Sequence, residues 1–274
     1  MVWRTRCPAK VNLFLAVGRP DPSGYHPIRT VFQSIGLYDD LEVRLGERAH
    51  EIACDWADFP AENTVSKTLR LLAEYVDVPP LRIDLTKRIP AQSGLGGGSS
   101  DAAGLLRLIR LILPETLSDA NCEEIAGAVG ADVPFFLVGG RARGDRYGDR
   151  VTPLPDGPRR WLAIVFPDEG VATATAYRAL DNLEYEWRDY PEGEVLYNDF
   201  ERVAPCVCGE IAERLLTHGA SGASLSGSGS AVFGLFEEEV AAERAARRLR
   251  DETGYAVWVA PTWGREESLW TSSS

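Results

Sequence analysis

Apolar and polar positions alternate in "CPAKVNLFLAVG", where Val11, Leu13, Leu15 and Val17 share one face, and the same two-residue period returns in "LEVRL" and "LRIDLTKRI". That period belongs to an extended chain, so these stretches are predicted strands. Between the last two, "ENTVSKTLRLLAEYV" repeats Val65, Leu69, Leu72 and Val76 at helical spacing behind Asn63 and Thr64 as capping residues. Leu105, Leu108, Ile109 and Ile112 outline a second helix, capped by Ser99 and Ser100, starting near Asp101 and ending at Pro114. "SDANCEEIAGAVG" reads as a third, from Ser118 to Gly130. The prolines of "VTPLPDGPRR" mark a boundary near residue 155. Beyond it come an apolar strand "WLAIVF", helical "TATAYRALDNL", strand "SAVFGLF", charged helix "EEVAAERAARRLRD" and strand "YAVWVAP", the pattern of a small sheet covered by helices. The last residues, "TSSS", read as a frayed tail. The reading is an α+β chain of two domains, 1–155 and 156–274.

Composition narrows the function. With 45% hydrophobic and 26% charged residues in 274, the chain is globular, and its formal charge of −12 supplies no basic face for nucleic acid. No apolar run approaches the roughly 20 residues of a membrane span, and the start lacks a signal-peptide core, so a cytoplasmic protein without membrane contact is expected. Five cysteines without finger-like spacing and three scattered histidines predict reduced thiols and no zinc, with Cys206 and Cys208 as buried small residues.

One segment has no such ordinary account. "IPAQSGLGGGSSDAAGLLRL" sets Gly94, Gly96, Gly97 and Gly98 between a strand and a helix, more glycine than a strand-to-helix turn needs. Bare backbone at a helix N-terminus suits a phosphate, because unpaired N–H groups and the dipole both favour an anion. The pattern is not a Walker A loop, since Ser99 follows Gly98 where lysine is required, and Ser99 also occupies the third glycine position of a Rossmann fingerprint.

The segment "IPAQSGLGGGSSDAA" resembles the ATP loop of the GHMP kinases, small-molecule kinases whose other motifs are matched in order by "PAKVNLFL" and "LSGSGSAVFGLF". The resemblance spans residues 7 to 236 and departs at Gln92-Ser93, where the family more often has small residues or glycine, and at Ser228, where threonine is common. It implies a two-domain fold with an N-terminal nucleotide-binding α/β domain and a smaller C-terminal ferredoxin-like α/β sandwich. It also implies ATP with Mg2+, bound along Pro90, Ala91, Gln92, Ser93, Gly94, Leu95, Gly96, Gly97, Gly98, Ser99 and Ser100. Lys10 of "PAK" and Asp132 of "GADVPFF" fall on the catalytic pair that activates the acceptor hydroxyl. "GYH" at Gly24 to His26 and "GADVPFFLVGG" are similar to the branch of the family acting on a cytidine diphosphate-linked methylerythritol in the non-mevalonate route to isoprenoid precursors. On that likeness Tyr25 and His26 form a cytidine pocket, with Phe32 and Tyr177 as aromatic neighbours and Asn12 as a polar contact, while Phe32 and Tyr177 read equally well as core. Asn63 is either an adenine contact or a cap. Ser100 is the residue whose hydroxyl can meet magnesium, with Asp101 behind it, and the metal ligands stay unassigned. Gly227 and Gly229 either approach the phosphates or form a turn. Open alternatives are a homoserine or mevalonate type of kinase and a nucleotide-binding module without chemistry.

Overall fold

Two long strands organise the molecule. In the computed structural model, which describes residues 1–46, 48–114, 116–167, 171–184 and 186–274, β1 (Val2–Val17) and β2 (Ile28–Leu45) pair antiparallel along nearly their whole length. They are followed by β3 (Glu51–Cys54), α1 (Thr64–Leu72), β4 (Leu81–Thr86), α2 (Gly97–Ile112), α3 (Asp119–Val129), α4 (Val133–Val138), β5 (Arg141–Asp145) and β6 (Arg150–Pro153). Next come β7 (Trp161–Phe166), α5 (Thr173–Leu180), β8 (Tyr197–Asn198), α6 (Cys206–Thr217), β9 (Gly222–Leu225), β10 (Val232–Phe236), α7 (Glu239–Thr253), β11 (Ala256–Pro261), α8 (Arg265–Ser268) and β12 (Thr271–Ser273).

The first sheet runs β12-β1-β2-β4-β3, with the hairpin β5 and β6 added to β2 and β8 added to β1. Residues 271–273, read from sequence as a frayed tail, instead form an edge strand against Trp3 to Thr5. A serine-rich ending has no apolar pattern to announce a strand, but its backbone groups complete the ladder of β1. β8 and β12 thus bring two pieces of the C-terminal half into the N-terminal sheet.

The second sheet is antiparallel in the order β11-β7-β10-β9. That is the spatial order of a split βαβ unit of the ferredoxin-like kind. One face, with Ala163, Val165, Val232 and Val257, packs on Ile211 and Leu215 of α6 and Ala242, Ala246 and Leu249 of α7. The other, with Leu162, Ile164 and Phe233, packs on Ala9, Val11 and Ile35 of the first sheet. Burial on both faces is why "WLAIVF" has no polar alternation.

The face of β1 carrying Val11, Leu15 and Val17 is buried as expected, but Lys10 and Asn12 on the reverse face are also almost fully buried. That face is covered rather than solvated, and the cover is the functional site.

Candidate active site

The reverse face of β1 and β2 borders a cavity of 1110 Å3, between the glycine segment, α1, α4, α5 and the loop 24–26. Lys10, Asn12, Tyr25, His26, Phe32, Asp132 and Tyr177 all line it, as do Pro90 to Gly94 and Gly96 to Ser99. Leu95 and Ser100 do not. Leu95 is a core side chain packed with Val11 and Phe233, and it meets the site through its carbonyl, which accepts from Lys10 N–H at 2.9 Å. Ser100 is wholly buried and its Oγ has no partner, so its hydroxyl is turned away from any metal in the cavity.

The helix after the glycines begins earlier than its apolar pattern indicates. Its N-cap is Gly96, in the left-handed region at φ 76°, so Ser99 and Ser100 lie inside the first turn and are not caps. Three consecutive glycines carry no apolar signal, which hides a helical turn from sequence. The first-turn N–H groups of Gly97, Gly98 and Ser99 have no intrahelical acceptors, the arrangement that receives an anion.

The glycines are required by neighbouring protein. A Cβ on Gly94, at φ 80°, would fall 2.0 Å from the carbonyl oxygen of Ser226. One on Gly96 would fall 2.8 Å from the Phe136 ring and 3.2 Å from Lys10 Cγ, and one on Gly97 would meet Ile89 at 3.0 Å. The segment is therefore clamped from below, leaving its N–H groups to the cavity. The second glycine motif closes the clamp. Ser226 Oγ donates to Gly94 O at 3.0 Å, Ala231 N–H donates to Ser93 O at 3.0 Å, and Gly227 N–H donates to Asn12 Oδ1 at 2.9 Å.

Lys10 Nζ lies 3.6 Å from Asp132 Oδ2. Burial lowers the Lys10 pKa and Asp132 opposes that shift by favouring the cation. Nζ also donates to Asn12 Oδ1 at 2.7 Å, and Asn12 Nδ2 donates to Thr30 Oγ1 at 2.8 Å. Asn12 thus spends its carbonyl oxygen on Lys10 and the second glycine loop, a holding role that sequence reading took for a ligand contact. Asp132 precedes α4 at the N-cap position but makes no capping hydrogen bond, so its carboxylate remains available to the cavity.

Beyond the lysine, Tyr25 is 66% exposed, its ring 5.5 Å from that of Tyr147. The His26 ring stacks on Tyr177 at 4.7 Å, and its Nδ1 lies 2.9 Å from the Gly18 carbonyl oxygen, which can only accept. Nδ1 therefore carries the hydrogen, and Nε2 lies 3.6 Å from Asp181 Oδ1. Phe32 belongs to the core, stacked on Phe135 at 4.7 Å, and gives the cavity only part of its ring. On the other side of the glycine helix, Trp56, Phe59 and Asn63 line the cavity, and Asn63 is the cap of α1, with Oδ1 accepting from Ser66 N–H at 2.9 Å and Nδ2 donating to Pro60 O at 2.8 Å.

Sequence reasoning missed Trp56, Phe59, Tyr147, Arg178 and Asp181 as cavity residues. Each sits in a loop or on a short helix with no pattern of its own, and only the fold gathers them. Ser228, read as a family departure, keeps its hydroxyl in use 3.0 Å from Thr173 Oγ1. Cys208 is buried as expected, whereas Cys206 is exposed, because it starts α6 on the side away from the sheet. No helix among the described residues is long and apolar enough to cross a membrane, and no cluster of metal-binding side chains occurs among them.

Comparison with known proteins agrees with this geometry. Residues 63–140 match the GHMP kinases N terminal domain and residues 207–256 the GHMP kinases C terminal domain. The chain is 37% identical to the 4-diphosphocytidyl-2-C-methyl-D-erythritol kinase of Desulfitobacterium hafniense, over 94% of each chain. It is 38% identical to the enzyme of the same name from Geobacter sulfurreducens, over 93% of this chain and 97% of that one. A crystal structure of 4-(cytidine 5'-diphospho)-2C-methyl-D-erythritol kinase superposes with a TM-score of 0.83 at 33% identity, covering 95% of this chain and 99% of that one. With both domains matched and the likeness running almost end to end, the chain belongs to the 4-diphosphocytidyl-2-C-methyl-D-erythritol kinase family within the GHMP kinases.

Proposed function

We propose that this enzyme transfers the γ-phosphoryl group of ATP to the 2-hydroxyl of 4-diphosphocytidyl-2-C-methyl-D-erythritol, a step of the non-mevalonate route to isoprenoid precursors, in the cytoplasm. The observation that carries the reading is the Lys10 and Asp132 pair at 3.6 Å, standing in one cavity between a glycine-capped helix N-terminus and an aromatic pocket. The triphosphate lies along Pro90 to Ser99, with its phosphate oxygens on the first-turn N–H groups of α2 and its adenine toward Trp56, Phe59 and Asn63. Magnesium enters as the companion of ATP, and no side chain is assigned to it.

The acceptor's cytosine sits among Tyr25, His26 and Tyr177. Binding energy from that remote ring fixes the hydroxyl between Asp132 and the γ-phosphorus, which is the positioning that phosphoryl transfer asks of a protein. Asp132 accepts the hydroxyl proton as the oxygen attacks in line, and Lys10, kept cationic by that carboxylate, balances charge on the transferring group. Only small molecules are bound.

The test is kcat/KM for the cytidyl acceptor against methylerythritol phosphate, homoserine and mevalonate, in the wild type and in Tyr25→Ala. The cytidyl compound is the preferred acceptor. Loss of the tyrosine stack lowers its kcat/KM by about one to two orders of magnitude while sparing ATP, since stacking contributes roughly 1–3 kcal/mol per base. Equal use of the truncated acceptor overturns the cytidine pocket.

A further inference from the structure

We propose that Asp39, Lys87 and Asp101 form a proton-linked anchor beneath the phosphate segment, a positioning cluster that holds the glycine turn and takes up one proton as the triphosphate binds. The inference rests on the reading of the cavity as an ATP site and goes beyond it.

Lys87 Nζ lies 2.5 Å from Asp39 Oδ2 and 2.6 Å from Asp101 Oδ2, and the three side chains are only 4%, 0% and 2% exposed. They come from β2, from the residue following β4 and from the second turn of α2. Asp39 Oδ1 accepts the backbone N–H groups of Arg88 and Ile89, at 2.5 and 2.9 Å, and so fixes the chain where it enters the glycine segment. Gly97 rests directly on this support, the position of its missing Cβ being 3.0 Å from Ile89 and 3.4 Å from Asp39 Oδ2. Lys87 and Asp101 also reach the cavity wall.

The charges do not balance. One ammonium faces two carboxylates in a nearly dry place, and Asp101 Oδ1 has no partner. An uncompensated buried carboxylate is costly and relieves the cost by binding a proton. Burial, and beyond it the neighbouring Asp39, raises the Asp101 pKa to about 7 against the pull of Lys87. Lys87 is raised in turn, burial being outweighed by Asp101 and Asp39, so the lysine stays charged. The other ionisable groups around Asp101 are the buried Cys7 thiol of β1, pushed up by burial and then by Asp101, and Arg107 farther along α2, which is turned to Arg6 O and Phe136 O. From α1 comes Thr64, whose hydroxyl donates to Gly98 O.

A triphosphate on the first turn of α2 brings several negative charges within about one turn of Asp101. It is repelled by the carboxylate and tolerated by the acid. Binding therefore draws a proton from solvent onto the Asp101 carboxyl, while Lys87 remains paired with Asp39. By reciprocity, nucleotide affinity falls as the pH rises through about 7.

Titration calorimetry with a non-hydrolysable ATP analogue and magnesium, in buffers of different ionisation enthalpy between about pH 6.5 and 8.5, tests this by comparing wild type with Asp101→Asn. The nucleotide's own titration is common to both proteins, so their difference reports Asp101. Near pH 8 the wild type takes up more protons per nucleotide than the variant. Between about pH 7 and 8.5 its affinity falls roughly tenfold relative to Asp101→Asn. Lys87→Met leaves the two carboxylates unopposed and loses affinity by about tenfold or more near pH 8, with recovery on acidification. Equal proton counts and parallel pH dependence in wild type and Asp101→Asn overturn the anchor alone, as does a Lys87→Met loss indifferent to pH. A wild type that binds no analogue at any pH overturns the nucleotide reading as well.

Discussion

Asp132 occupies a position where an aspartate ordinarily caps a helix, yet its carboxylate makes no cap bond and lies 3.6 Å from a buried lysine instead. Asp132→Asn keeps the size and most hydrogen bonding of the side chain while removing its capacity to accept the proton. Turnover is expected to fall by about 10² or more, with ATP affinity little changed, measured as separate kcat and KM values for the two substrates. Lys10 was legible from its motif. Its partner Asn12 was legible only as a polar residue on a strand. That its oxygen joins Lys10 Nζ to Gly227 N–H follows from a fold contact between positions 215 residues apart.

At the scale of elements, the two glycine motifs act as one unit. Gly94 is in a left-handed conformation against the Ser226 carbonyl, so Gly94→Ala both strains the backbone and forces the loops apart. The left-handed cost alone is about 1–2 kcal/mol. Displacement of Ser226 adds to it and reaches Lys10 through Asn12 and Gly227. A lower melting temperature together with a rise of about tenfold or more in KM for ATP is expected. Gly254→Ala is the control: at φ 73°, with nothing within 4 Å of the added Cβ, it carries the backbone strain alone and leaves ATP kinetics intact. The capped helices α1 and α3 could be read from sequence because their caps are local side-chain bonds, from Ser66 N–H to Asn63 and from Asn121 N–H to Ser118. The start of α2 could not, because its cap is a backbone conformation.

Over the whole molecule, the second sheet is the foundation on which the phosphate segment rests. Phe233 is fully buried among Val11, Ile35, Leu95, Leu162 and Ile164, joining the second sheet to β1, β2 and the glycine segment. Phe233→Ala is expected to cost about 3–5 kcal/mol, the range for deleting a buried aromatic, read as a shift of the denaturation midpoint. Residual folded protein should bind ATP more weakly, because the loop following β9 also presents Gly227 and Ser226 to the site.

The sequence by itself determined the strands and helices whose burial follows a regular period, the glycine segment and the catalytic pair, because those features are written in neighbouring residues. It did not determine that "TSSS" closes a sheet, that Ser100 is hidden and Ser99 open to the cavity, or that Trp56, Tyr147 and Asp181 share one cavity. Nor could it show Lys87 between Asp39 and Asp101, residues 48 and 14 positions away, since each alone reads as a solvated charge on a strand or helix. Local pattern fixes which face of an element is apolar. Which polar side chains share a dry space depends on distances between elements, and only the tertiary packing of the two sheets and their helices sets those distances.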